Sequence, residues 1–218
     1  SDRYYVMAYY GTTIQNGENL CLNAVFDRND WSLLAVAGDY GQYERMSSDM
    51  TYDPVLDRFY GCFLDRTQSK WVLGYIKIDP AAVSSSLDHV TEVCELEVSL
   101  NGLAADKNGT LWGIRNDNGD LVKINKKTGE MTKVASTGFV PAYNGSLAWD
   151  NTNGILYWST TFDDTTAEGG VASAILSVDS ETGTLLHVHD YAAAAQTAGL
   201  YTEFAAAAAA PGPFTNLK

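Results

Sequence analysis

The side chains best suited to recognising another molecule fall in segments that punctuate apolar runs. GDYGQYERMSSD at 38–49, SLNG at 99–102 and PAYNGS at 141–146 form one set. GTTIQNGE, LDRTQSKW, RNDNGD and TTFDDTTAEGG form the other. Together they offer Tyr40, Tyr43, Arg45, Arg66, Arg115, Asn116, Tyr143, Asn144, Phe162 and Asp163. Aromatic faces beside Arg, Asn and Asp suit a sugar or peptide site, which needs apolar ring area and a few placed hydrogen bonds. Tyr43, Arg45, Arg66, Arg115, Asn116, Tyr143, Asn144 and Asp163 are the candidate ligand-binding residues.

Other chemistries have less to work with. No GxSxG, HExxH, phosphate-binding loop or GxGxxG is present, so no catalytic residue is assigned. Two acids from distant segments could still meet as a glycosidase pair, which keeps a carbohydrate-active hydrolase or lyase as the alternative. His187 and His189 are two apart in LLHVHD, so on a strand they share a face. With Asp190 they could offer metal ligands, but such a pair more often lies on a solvated outer face, and His89 has no evident partner. No metal site is assigned. RNDNGD and the Asp163-Asp164 pair are rich in oxygen ligands but lack the alternating acids and final Glu of a calcium-binding EF-hand. Their calcium reading is therefore incidental uptake by a surface loop. Cys21, Cys62 and Cys94 each sit in an apolar, strand-like run and read as small buried hydrophobes.

The elements that must hold these loops emerge from an internal repeat. MTYDPVLDRFYGCF at 50–63, LAADKNGTLWGIR at 103–115 and LAWDNTNGILYWST at 147–160 share one plan. A short apolar strand ends in Asp53, Asp106 or Asp150; a turn with Pro, Asn or Gly follows; a second strand carries Tyr60, Trp112 or Tyr157. Asp and Asn-Gly supply the side-chain-to-backbone bonds and positive φ that tight turns need. An Asp that recurs in every unit serves its turn, and recurrent aromatics serve packing between sheets. A second hairpin follows in each unit, at 74–82, 121–134 and 174–188. Four strands per unit, with spacings of 53 and 44 residues between the Asp positions, predict blades of a β-propeller. Residues before Gly38 fit the same plan with the first strand missing, and AGLYTEF at 198–204 reads as that strand, closing the ring. The expected fold is all-β, a small propeller of four four-stranded blades, or five if a further unit precedes Ser1. The blades span 1–204. Residues 205–218, six alanines then PGPFTNLK, read as a linker toward a further module.

The DMTYDP…YGCFLD, GTLWGI…LVKI…TG and GILYWS…VD..TG units resemble the repeats of propeller-like domains in surface proteins of anaerobic gut bacteria. In that family the domain precedes fibronectin type III or immunoglobulin-like modules, and its members are regarded as adhesins. The resemblance implies an exported chain at the cell surface or outer membrane, and no known reaction.

Composition narrows the partners. Apolar residues make up 45% and charged residues 19%, a folded composition. Net charge is −13, which repels phosphate backbones and anionic lipid surfaces, so nucleic acid is not an expected partner. No apolar stretch approaches the length of a membrane span. A closed ring demands no partner strand, so a monomer is expected. The sequence thus points to a non-catalytic binding or presentation module for a glycan or a host or matrix protein, needing no cofactor, with a structural spacer as a further alternative.

Overall fold

The computed structural model describes residues 3–10, 20–27, 29–37, 43–47, 50–76, 90–143, 145–165 and 170–190. Their regular structure is entirely β, with no helix. Nor is any helix among them long and apolar enough to cross a membrane. Sixteen strands make four consecutive antiparallel sheets. The first contains β1 (Arg3–Tyr10), β2 (Leu20–Asp27) and β3 (Leu33–Ala37). In the second, β4 (Tyr43–Met46) and β5 (Thr51–Asp53) both pair with β6 (Arg58–Asp65), followed by β7 (Lys70–Ile76) and β8 (Thr91–Leu96). The third runs β9 (Leu100–Ala105), β10 (Leu111–Arg115), β11 (Asp120–Ile124) and β12 (Met131–Ser136). The fourth runs β13 (Ser146–Asp150), β14 (Ile155–Asp163), β15 (Val171–Asp179) and β16 (Leu185–Asp190).

Turn chemistry explains this strand order. Asp53 Oδ1 accepts from the amides of Val55 (2.9 Å) and Leu56 (3.2 Å). Asp106 does so from Asn108 and Thr110, and Asp150 from Thr152 and Asn153. The recurrent Asp is therefore a turn residue in all three sheets, as its recurrence predicts.

The sheets face one another through apolar seams. Tyr60, Cys62 and Leu73 of the second sheet meet Leu103, Val122 and Ile124 of the third. Trp112 and Ile114 of the third meet Leu156, Trp158 and Leu176 of the fourth. Tyr60 and Trp112 are thus packing residues, with Tyr157 half-buried at the corresponding position. Cys62 is fully buried and Cys94 half-buried, both as free thiols. First strands lie against first strands, β5 on β9 and β9 on β13. Gly102 makes the second approach feasible, since a Cβ there would stand 2.6 Å from Leu147 Cβ. Each first strand has a sheet partner on only one edge, so amides on the other edge need acceptors. Ser47 Oγ accepts from Leu100 N (3.1 Å) and Thr51 Oγ1 from Ala105 N (2.8 Å).

Three segments expected as connections are partly strand. Tyr43 and Arg45 lie on β4, Leu100 to Gly102 open β9, and Ser146 opens β13. β4 is held by pairing of Tyr43 with Asp65 and Met46 with Phe63. The expected closing strand at 198–204, the linker at 205–218, the loop GTTIQNGE, Tyr40 and His89 lie outside the described residues.

Candidate ligand-binding face at the loop end

At one end of the third and fourth sheets, the turn after β10, the connection after β12 and the end of β14 converge on Asn101. This residue of β9 is fully buried and uses its whole amide. Its Nδ2 donates to Asn116 Oδ1 (3.2 Å) and to the Tyr143 carbonyl (2.5 Å). Its Oδ1 accepts from Trp158 Nε1 (2.9 Å) and Thr160 Oγ1 (3.0 Å). A buried amide is retained where its partners are all in place, and here they fix two surface segments against the core. Gly145 leaves the room, because a Cβ there would overlap Asn101 Oδ1.

The surrounding loops are braced as well. Asn116 N donates to Ser99 O (3.0 Å). Gly119 has φ +71°, and a Cβ on it would collide with the Phe139 carbonyl oxygen. Thr137 Oγ1 donates to Gly119 O (2.8 Å). The 139–142 segment runs beside the end of β14, with Ala142 N bonded to Thr161 O and Asp163 N to Val140 O. Phe139 meets Phe162 edge-on at 4.5 Å between ring centres.

On this frame, Tyr143 is 55% exposed and Asn116 is exposed. Because Asn116 Oδ1 faces Asn101, its Nδ2 is turned away from that bond and can donate outward. Arg115 is a fork between two carboxylates. Its Nε and Nη2 donate to Asp117 (3.0 and 2.8 Å), and its Nη1 donates to Glu97 Oε2 (2.9 Å). Those bonds raise the Arg115 pKa still further, and Arg115 holds the Asp117 carboxyl below its ordinary value. The cluster of one cation and two anions carries a net negative charge.

The predicted residues separate accordingly. Arg115, Asn116 and Tyr143 come together, and Asp163 adjoins them through Val140. Tyr43 belongs to the second sheet, where its hydroxyl donates to Glu92 (3.0 Å) and its ring packs on Phe63. Burial, then the hydrogen bond to Glu92, push its pKa up to about 12. Arg45 is on the same strand, with its side chain outside the described set, and Arg66 is on the exposed turn after β6. Asn144 lies outside the described residues. Asn101 escapes sequence reasoning because Ser-Leu-Asn-Gly reads as a turn; the signal available was the short apolar run Leu103-Ala104-Ala105 that follows it.

The oxygens of RNDNGD serve the protein itself. Asp117 binds Arg115, Asn118 Oδ1 accepts from Asp120 N (2.9 Å), and Asp120 pairs with Lys133 at 2.7 Å. Among the described residues, no three His, Cys, Asp or Glu side chains group as metal ligands. His187 and His189 lie on β16, with side chains outside the described set.

No protein-family model and no curated protein matches this chain. Solved structures do. One chain of a nidogen/laminin complex matches with a TM-score of 0.56 at 14% identity, covering 85% of this chain. This chain spans 62% of that one. An α-L-arabinofuranosidase from Clostridium thermocellum matches with a TM-score of 0.53 at 13% identity, covering 93% of this chain and 72% of the enzyme. The likeness is one of fold. Both are propeller-type structures, in agreement with four successive antiparallel sheets, of which the second, third and fourth pack first strand to first strand.

Proposed function

We propose that the chain is a non-catalytic binding module, a small propeller of four blades closed by its C-terminal strand, acting at the surface of an exported protein. Its ligand is a glycan, held at the loop end by Tyr143, Asn116 and the Arg115 cluster. The supporting observation is the Asn101 amide, which grips Asn116 and the Tyr143 backbone together from within the core. A sugar would lay its apolar face on the Tyr143 ring and take a hydrogen bond from Asn116 Nδ2. Its hydroxyls would donate to the exposed carboxylates of Asp117 and Glu97.

Charge narrows the glycan. The guanidinium of Arg115 is already shared between two carboxylates, and the chain carries a net charge of −13. An anionic sugar would meet repulsion without an available cation at this cluster, so the fitting ligand is neutral. The test is a glycan array containing neutral, sialylated and sulfated members, followed by calorimetric titration of any hit. Saturable binding to neutral glycans, weakened at least about tenfold by Tyr143→Ala, is expected. No saturable glycan, or affinity unchanged by Tyr143→Ala, would overturn this site and favour the spacer reading.

A further inference from the structure

Acids that end strands serve their own turns in most of the molecule. Asp27, Asp53, Asp65, Asp150 and Asp179 end β2, β5, β6, β13 and β15, and each accepts from the amide two residues on. Asp163 ends β14 and differs from them. It is exposed, and among the described residues its carboxylate enters no hydrogen bond or ion pair. The fold makes no use of this acid.

Backbone pairing fixes what stands beside it. Asp163 N donates to Val140 O (3.3 Å) and Ala142 N to Thr161 O (2.8 Å), one bond on each side of the antiparallel bridge between Pro141 and Phe162. Side chains alternate about that bridge. Pro141 and Phe162 are buried, so Val140 and Asp163, opposite each other one step along, share the outward face. Val140 is left 46% exposed. Its carrier is rigid: Pro141 restricts its own φ, Phe139 N donates to Thr137 Oγ1 (3.3 Å), and the Phe139 ring meets Phe162 beneath. Tyr143 follows three residues after Val140, which keeps their Cα atoms within about 11 Å.

We propose that Val140 and Asp163 form a second sugar subsite, continuous with the first, so that the module takes a linked chain of sugars rather than a lone terminal unit. The proposal rests on the glycan reading of the Tyr143 site. With one ring on Tyr143, the next unit lays its C–H face against Val140 while vicinal hydroxyls donate to the two oxygens of Asp163. Asp164 stands next in the chain, and no cation among the described residues pairs with Asp163, so this subsite also disfavours anionic sugars. The segment is already held to the end of β14, so binding has little loop ordering to offset.

The experiment titrates the whole chain with neutral gluco-, galacto- and manno-oligosaccharides, each series taken from the monosaccharide upward, by calorimetry or by competition. Affinity should rise at least about tenfold from the monosaccharide to its oligosaccharides. Asp163→Asn and Val140→Ser should each cut the ratio of oligosaccharide to monosaccharide affinity at least about fivefold, whereas Tyr143→Ala should weaken every member of a series. Both substituted side chains are exposed, so the variants should melt as the wild type does. Equal affinity for monosaccharide and oligosaccharide, or a length gain that survives both variants, would overturn the second subsite and leave the first standing. Absence of saturable binding in every series, or binding indifferent to Tyr143→Ala, would overturn both.

Discussion

Asn101 is the residue on which the loop end depends, and Asn101→Ala measures that dependence. The substitution removes four hydrogen bonds, but their costs differ. Trp158 is fully buried, so its indole N–H is stranded at a cost of roughly 1–3 kcal/mol. Thr160 is equally buried, yet its hydroxyl also bonds the Thr161 carbonyl at 3.2 Å and keeps that partner. Tyr143 and Asn116 are exposed residues whose oxygens water can reach. The void left by the amide adds on the order of 1 kcal/mol. The expected loss is about 3 kcal/mol, or a Tm lower by about 6–12 °C, read by urea and thermal unfolding at neutral pH. Asn101→Asp is the sharper variant. It keeps the acceptor for Trp158 and Thr160 but turns a carboxylate toward two oxygens that now receive no proton. The new carboxyl should titrate above its unfolded value, so its protonated form favours the folded state. That variant's deficit is therefore smallest below the unfolded carboxyl pKa and grows as pH rises through the raised folded value. A cost below about 1 kcal/mol for Asn101→Ala, or a pH-independent deficit for Asn101→Asp, would refute the hub.

Other substitutions test the seams. Gly129→Ala should cost about 3 kcal/mol or more, because a Cβ would overlap Glu95 O and φ is +76°; a urea midpoint close to wild type would contradict the seating of that turn on β8. Lys126 Nζ lies 2.6 Å from the buried Asp53 carboxylate across the seam between the second and third sheets. Lys126→Met should therefore destabilise by about 3–5 kcal/mol, and Asp53→Asn in the same background should recover part of that loss. Tyr43 titrates at about 12 in the fold against 10.0 in isolation, so the stability it contributes is whole below about pH 10 and lost as pH climbs toward 12. Tyr43→Phe should remove the highest-pH component of the tyrosinate absorbance titration; its persistence would assign that component to another ring.

Turn residues and recurrent aromatics make the sheet order readable from the sequence. Asp53, Asp106 and Asp150 each act locally through amides two to four residues on, so sequence spacing alone reveals them. The first strands were harder. β9, LNGLAA, is buried at every position, which erases the alternation that marks a strand with one wet face. β4, YERM, is short and pairs through an irregular register, and its Tyr and Arg resembled loop residues. Reading those two strands as connections put Tyr43 and Arg45 among loop residues and hid Asn101. The bond from Asn101 to Trp158 joins residues 57 apart, a relation that no local pattern encodes.

Repetition in such a fold separates scaffold from exception. Register aligns Tyr60–Tyr75, Trp112–Lys123 and Tyr157–Ser177 in successive sheets, and two residues on it aligns Cys62, Ile114 and Ser159. The first two of that set fill apolar seams. Ser159 is equally buried but presents a hydroxyl with no hydrogen-bond partner among the described residues, beside the bonded pair of Thr161 and Ser173 at 2.8 Å. The face of the fourth sheet turned away from the third thus carries buried hydroxyls at Ser159, Thr161 and Ser173, whereas Cys62 and Ile114 are apolar at the positions matching Ser159. Trp31, with φ +61°, is a departure in the first sheet, since the turns after β11 and β15 place Gly129 and Gly183 in that conformation. An unsatisfied hydroxyl and a left-handed residue with a Cβ each cost stability, and the turns of the second sheet carry the latter as well, at Asp57 (φ +52°) and Ser69 (φ +54°). The repeat therefore tolerates departures at single positions, while Asn101, bonded through its whole amide, is what holds the loop end of the third and fourth sheets in place.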